Sequence, residues 1–198
     1  MGGEFVMNNF HQCLEYSLGA REKFDESLLI AHIPNCVSVK KTGLDLDRAG
    51  IDYIATLKDG ATVTIDSKTR QPGVWKYWKY GEPELALEAY SIEEKRVVGW
   101  LFKRSAVHPD YILYTFDRRD TDKFYFIPFI LLKRAAFGNW KAWERRYGLT
   151  KQPNKGYTST AIFVPASLVL KAVTDCMTGT VQQFHTAPYQ SAGGFSYA

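Results

Sequence analysis

From Gly50 to Arg70 the chain reads GIDYIATLKDGATVTIDSKTR, two runs of alternating apolar and polar residues around Lys58-Asp59-Gly60. Successive side chains of a strand point to opposite faces, so the register of such a hairpin decides which residues act together. A two-residue turn at Asp59-Gly60 would set Asp52 opposite Ser67 and turn its carboxylate away from Asp66. A three-residue loop, closed by Gly60 in the left-handed region, pairs Leu57 with Ala61 and Asp52 with Asp66. The second register is preferred because it sorts the residues cleanly. Ile51, Tyr53, Ala55, Leu57, Ala61, Val63 and Ile65 fall on one face, and Asp52, Thr56, Thr62, Thr64, Asp66 and Lys68 on the other. Ile54 is the one apolar exception. This is the pattern of a half-buried strand pair.

Directly opposed residues have β-carbons about 4.5–5.5 Å apart, close enough for Asp52 and Asp66 to share one divalent ion. Two carboxylates held so close repel unless a cation or a proton intervenes. Mg²⁺ fits, since it takes one or two carboxylates and keeps waters or substrate phosphate, with Mn²⁺ as a substitute. The backbone carbonyl of Ser67 can complete the set. Lys68, on the same face, then orients or deprotonates a water, or neutralises charge in the transition state.

The segment resembles the core of the PD-(D/E)xK nuclease superfamily. Ile51-Asp52 stands where that family has Pro-Asp, and Asp66-Ser67-Lys68 where it has (D/E)xK. The resemblance covers residues 50–70. It implies a single α/β domain with the restriction-endonuclease-like fold, a central mixed β-sheet carrying a β-hairpin active site, and flanking helices. It also implies a magnesium-dependent hydrolase, an endonuclease or exonuclease, with DNA rather than RNA as substrate. Phage or mobile-element biology would suit it. Such families tend to place an acid on the helix before the hairpin; Glu22 and Asp25 lie on the inward stripe between Leu18 and Leu29 and are the favoured candidates. Glu88 is a further candidate metal ligand.

A chain of 198 residues with 45% hydrophobic content can bury one good core, so one domain is expected over 7–177. Residues 1–6 read as an added leader before Met7, and 178–198 as a loosely ordered tail. A net charge of +4 is only mildly basic and is compatible with nucleic acid without specifying it. Cys13, Cys36 and Cys176 are odd in number and lack CxxC spacing, which argues against a disulfide framework or zinc site and for a reducing, cytoplasmic setting. The four histidines are scattered. No apolar run is long enough for a membrane span. Cutting both strands of a duplex would call for a homodimer or two successive nicks.

Along the chain, His11 to His32 reads as a helix ended by Pro34-Asn35, Cys36 to Lys40 as a strand, and the segment through Gly43, Asp45 and Asp47 as a loop. Glu84 to Ile92 is ambiguous between helix and strand. Tyr111 to Phe116 and Phe124 to Ile127 read as strands that complete the sheet. Pro128 opens a helix expected to stop at Gly138-Asn139, followed by a second amphipathic stretch, Trp140 to Tyr147. Ser159 to Val164 is a last strand, and Pro165 opens a terminal helix to about Met177.

After the hairpin, Arg70, Gln71, Trp75, Lys76, Tyr77, Trp78 and Lys79 alternate basic, polar and aromatic character, which suits phosphate contact with base stacking. Trp140, Lys141, Trp143, Arg145 and Arg146 form a second basic-aromatic cluster. The competing function is a nucleic-acid-binding module that retains the fold without cleaving.

Overall fold

The computed structural model of the chain describes residues 20–70, 73–104, 107–117, 120–121 and 123–178, with the backbone alone at 20–24. The early part of the first expected helix, Cys13, the side chain of Glu22, Gln71 and the tail beyond Thr178 lie outside the described residues. Helix α1 (Ala20–His32) ends before Asn35, which takes a left-handed φ of 60°. Strand β1 (Cys36–Lys41) follows, then helix α2 (Leu44–Ala49), strand β2 (Tyr53–Leu57) and strand β3 (Thr62–Thr69).

Helix α2 stands where the sequence suggested a loop. Its end is a Schellman stop: Gly50 at φ 88° donates to Asp47 O, and Ile51 N–H donates to Leu46 O. No residue of α2 is buried, so no apolar stripe announced it. The stop turns the chain sharply into β2, with Asp52 at the junction.

A 3₁₀ turn (Val74–Tyr77) leads to β4 (Glu84–Ile92), β5 (Val97–Val98), β6 (Tyr111–Thr115) and β7 (Tyr125–Pro128). Helix α3 (Phe129–Tyr147), the hairpin of β8 (Thr150–Asn154) and β9 (Tyr157–Pro165), and helix α4 (Ala166–Met177) complete the order. The architecture is mixed α/β with two sheets. The first runs β1-β2-β3-β6-β7, antiparallel except for the parallel pair β3/β6; the second runs β5-β4-β9-β8 and is antiparallel.

One central sheet was expected, and the division into two corrects that. Both edges of β6 are occupied, by β3 and β7, so β4 cannot extend the sheet there. It packs over the face instead. Leu85 and Leu87 of β4 join Ile112 and Tyr114 of β6 in the main core, and the Ala86 N–H donates to the Tyr114 hydroxyl oxygen at 2.8 Å. The first sheet is therefore covered on both faces. Leu29 and Ile33 pack on Tyr53, Ala55, Ile65 and Leu113 on one side, while the second sheet and α3 cover the other.

Helix α3 runs unbroken through Gly138-Asn139, against the stop expected there. Asn139 turns its side-chain amide back to donate to Ala135 O at 2.8 Å, inside the helix. Packing on both sides of the Gly-Asn pair, with Ala135, Ala136 and Trp143 buried, outweighs the roughly 1 kcal/mol that one glycine costs a helix. Strand β8 was not anticipated, because TKQPN lacks apolar alternation and contains a proline. It is an edge strand, where a missing N–H is tolerated.

Candidate active site at the open end of the hairpin

The hairpin adopts the three-residue connection. Tyr53 pairs with Ile65, Ala55 with Val63 and Thr56 with Thr62; Leu57 N–H donates to Ala61 O at 2.9 Å, and Gly60 takes φ 83°. Asp59 Oδ1 accepts the Ala61 N–H at 3.0 Å and closes the loop. Ile51, Tyr53, Ala55 and Ile65 are buried, as the alternation required.

The ladder stops one step short of the aspartates. Its last pair is Tyr53–Ile65, and Asp52 N–H also turns to Ile65 O, at 2.8 Å. Asp52 is thus displaced from a square pairing with Asp66. Its carboxylate fills the gap at the end of β2, where Oδ2 accepts the Ser67 N–H at 2.7 Å. The N–H and C=O of one strand residue project to the same edge, so the Ser67 carbonyl is directed to this side of β3 as well.

Asp66 is almost wholly buried, and Lys68 Nζ donates to its Oδ1 at 2.6 Å. The Lys68 ammonium also lies 5.6 Å from the centre of the Trp100 ring, a cation–π distance. Asp66 and Lys68 line a cavity of about 80 Å³ together with Arg48, Gly50, Trp100, Lys103 and His108. Glu88 comes in from the second sheet: its Oε2 accepts from Ser91 Oγ at 3.1 Å and from Trp100 N–H at 3.3 Å, and its charge reaches Lys68. Glycine is required at position 99, since a β-carbon there would lie 2.3 Å from Glu88 O.

The electrostatics are those of crowded carboxylates. Burial pushes the Asp52 carboxyl above its ordinary range, the charge of Asp66 adds to this, and Lys68 and the Ser67 N–H offset part of it. Asp47, on α2, is raised by burial and then by the charge and close approach of Asp52. Burial pulls the Lys68 ammonium down, but the charges of Asp66 and Asp52 outweigh it and hold the group above the usual lysine value. Among the described residues, no group of three or more His, Cys, Asp or Glu side chains converges as a metal-binding set. Two carboxylates and a carbonyl are what this end of the hairpin offers a cation.

The other sequence candidates are distributed around this centre. Asp25 lies across the sheet: its buried Oδ2 accepts from Ser67 Oγ at 2.7 Å and Tyr53 OH at 3.5 Å, on the face that α1 covers. The Arg70 guanidinium sits 4.9 Å from the Phe163 ring centre. Trp75 and Tyr77 point outward, with Lys76 Nζ 5.9 Å from the Trp75 ring. Trp78 instead packs edge-on against Phe116 at 5.8 Å and belongs to the core margin. Lys79 is exposed, and its backbone N–H donates to Glu84 Oε1. Trp143 is buried, and Trp140 packs edge-on against Phe102. None of these lines the cavity.

Arg48, Trp100, Lys103 and His108 escaped the sequence reading. They come from three separate segments, and only the β3/β6 pairing and the α2 stop bring them together. No protein-family model matches the chain, and no curated protein or solved structure compared with it matches either.

Proposed function

We propose that this chain is a metal-dependent phosphodiesterase acting on nucleic acid, DNA in preference to RNA, built as a restriction-endonuclease-like domain. The observation that carries the reading is the convergence of Asp52, Asp66 and Lys68 at one end of β3, with Lys68 Nζ 2.6 Å from Asp66 Oδ1 at a cavity wall. Carboxylates that disfavour each other's charge, beside a carbonyl, suit a hard divalent cation. Asp52, Asp66 and the Ser67 carbonyl would hold Mg²⁺, with Mn²⁺ able to replace it. The ion would polarise a phosphoryl oxygen and make a neighbouring water more acidic.

The chain's own groups supply the rest. Lys68 has N–H donors to direct at the attacking water or at a non-bridging phosphate oxygen as negative charge grows there. Trp100 and Glu88 hold the lysine on the cavity side of the sheet. The water oxygen bonds to phosphorus as the bond to a sugar oxygen breaks, and that oxygen takes up a proton, leaving a phosphomonoester and an alcohol.

A second reading, a nucleic-acid-binding module without cleavage, is favoured by two observations. The Lys68 ammonium already compensates Asp66, and no three-membered ligand set is present among the described residues. Incubation of the protein with linear, circular and single-stranded DNA and with RNA, in Mg²⁺, Mn²⁺ or EDTA and alongside Asp66→Ala, separates the two. Metal-dependent cleavage lost in Asp66→Ala supports the phosphodiesterase. Binding without cleavage under every condition overturns it in favour of the module.

A further inference from the structure

The cavity lined by the paired Asp66 and Lys68 has further cations on its wall. Arg48, at the end of α2, and Lys103, after β5, line it directly. Lys103 Nζ donates to Arg48 O at 3.1 Å, and Lys133 Nζ of α3 donates to Lys103 O at 3.3 Å, so the two lysine ammoniums lace three segments together through backbone carbonyls. Arg104 adds to the crowding: the Lys133 ammonium is held below its usual value first by burial and then by the Arg104 charge. The carbonyls these lysines meet are neutral, and among the described residues no carboxylate forms an ion pair with Arg48, Lys103 or Lys133. Two cations that line one cavity without a carboxylate partner among the described residues, Arg48 and Lys103, favour an anion arriving from outside.

We propose that Arg48 and Lys103, backed by Lys133, form a second phosphate-binding position. It would hold a backbone phosphate adjacent to the one at Asp66 and Lys68, so that the substrate is a polynucleotide strand and not an isolated phosphodiester. This rests on the phosphodiesterase reading for the first phosphate, but the rim has its own chemistry. The described residues of the basic-aromatic segment, Arg70 and those from Gly73 to Lys79, lie outside the cavity lining and do not substitute for it.

The test compares the wild type with Arg48→Ala, Lys103→Ala and their double variant, and with the charge-preserving Arg48→Lys and Lys103→Arg. Binding of a fluorescein-labelled single-stranded oligonucleotide is followed by anisotropy against salt in EDTA. Hydrolysis of the oligonucleotide and of bis(p-nitrophenyl) phosphate is followed in Mn²⁺. Each lost cation should make the slope of log affinity against log salt shallower by about 0.7, the single-strand value per neutralised phosphate. The double variant should lose about tenfold or more in oligonucleotide kcat/KM relative to its loss on the single-phosphate diester, and the charge-preserving variants should regain the slope.

An unchanged salt slope overturns the rim, even if metal-dependent cleavage lost in Asp66→Ala upholds the first site. Equal losses on both substrates also overturn it, because the cations would then serve the scissile phosphate itself. Displacement of the oligonucleotide by inorganic phosphate at equal phosphate concentration would do the same, since a free ion would fill the position as well as a strand. A full slope that depends on Arg48 and Lys103, without cleavage in any metal, supports the rim while the phosphodiesterase reading falls.

Discussion

The Ser67 N–H reaches Asp52 Oδ2 at 2.7 Å because β2 ends before it can occupy that edge of β3. The bond holds the Asp52 carboxylate beside Asp66 despite their like charge. Asn at position 52 keeps an acceptor for this N–H and removes the charge that burial and Asp66 disfavour. Asp52→Asn should therefore raise the stability of the metal-free protein by about 1 kcal/mol, or about 2–4 °C in Tm. On the proposed metal site, Mg²⁺ should raise the Tm of the wild type, and Asp52→Asn should abolish that rise. Thermal scans with Mg²⁺ and with EDTA read both effects. A metal-free Tm that falls would contradict the electrostatic account.

Glu84 offers a pH dependence away from the site. It is buried, which raises its carboxyl above the ordinary glutamate value of 4.5, partly offset by the Lys79 N–H and by the Lys79 and Arg70 charges. The unfolded chain then gives up this proton at lower pH than the folded one. Stability from this residue is intact below 4.5 and is lost as pH rises from there through the folded value. Glu84→Gln should flatten that part of the profile, measured by urea unfolding at a series of pH values. An identical profile in the variant would refute the assignment.

Gly99→Ala should be among the costliest single methyl additions in the protein. The new β-carbon would meet Glu88 backbone at 2.3 Å and its side chain at 2.9 Å, and backbone cannot yield cheaply. A loss of about 1–3 kcal/mol in denaturant unfolding is expected. Trp100 should move off Lys68 as well, visible as a shift in tryptophan emission relative to a Trp100→Phe reference.

Trp75 and Trp78 stand three residues apart and should respond oppositely. Trp75 is half exposed on the surface, whereas Trp78 packs on Phe116. Trp75→Ala should leave Tm nearly unchanged and weaken single-strand binding by about 1–3 kcal/mol, the value of one stacked base. Trp78→Ala should lower Tm. Paired melting curves and anisotropy titrations distinguish this from a loop in which both rings serve the ligand.

What the sequence determined by itself was local and periodic. The alternation through 51–65, with Gly60 able to take a positive φ, favoured the register that gathers the apolar residues on one face, and the hairpin adopts it, burying Ile51, Tyr53, Ala55 and Ile65. Tyr111 to Thr115 was equally legible, because only a strand enclosed on both faces needs such continuous apolar character. The end of α1 before Pro34-Asn35 and the start of α4 after Pro165 followed from backbone chemistry alone.

Tertiary structure decided what depends on residues far apart in the chain. Occupied edges on β6 sent β4 and β9 into a separate sheet, and burial of Ala135, Ala136 and Trp143 carried α3 through a sequence that signals a stop. The parity of β3 put Asp25 and Asp66 on opposite faces, a separation that became visible only once α1 was docked. Arg48 and Lys103 met through a backbone carbonyl, a contact with no side-chain pattern to betray it. Periodicity records which face of an element is buried; it carries no record of which distant element covers that face.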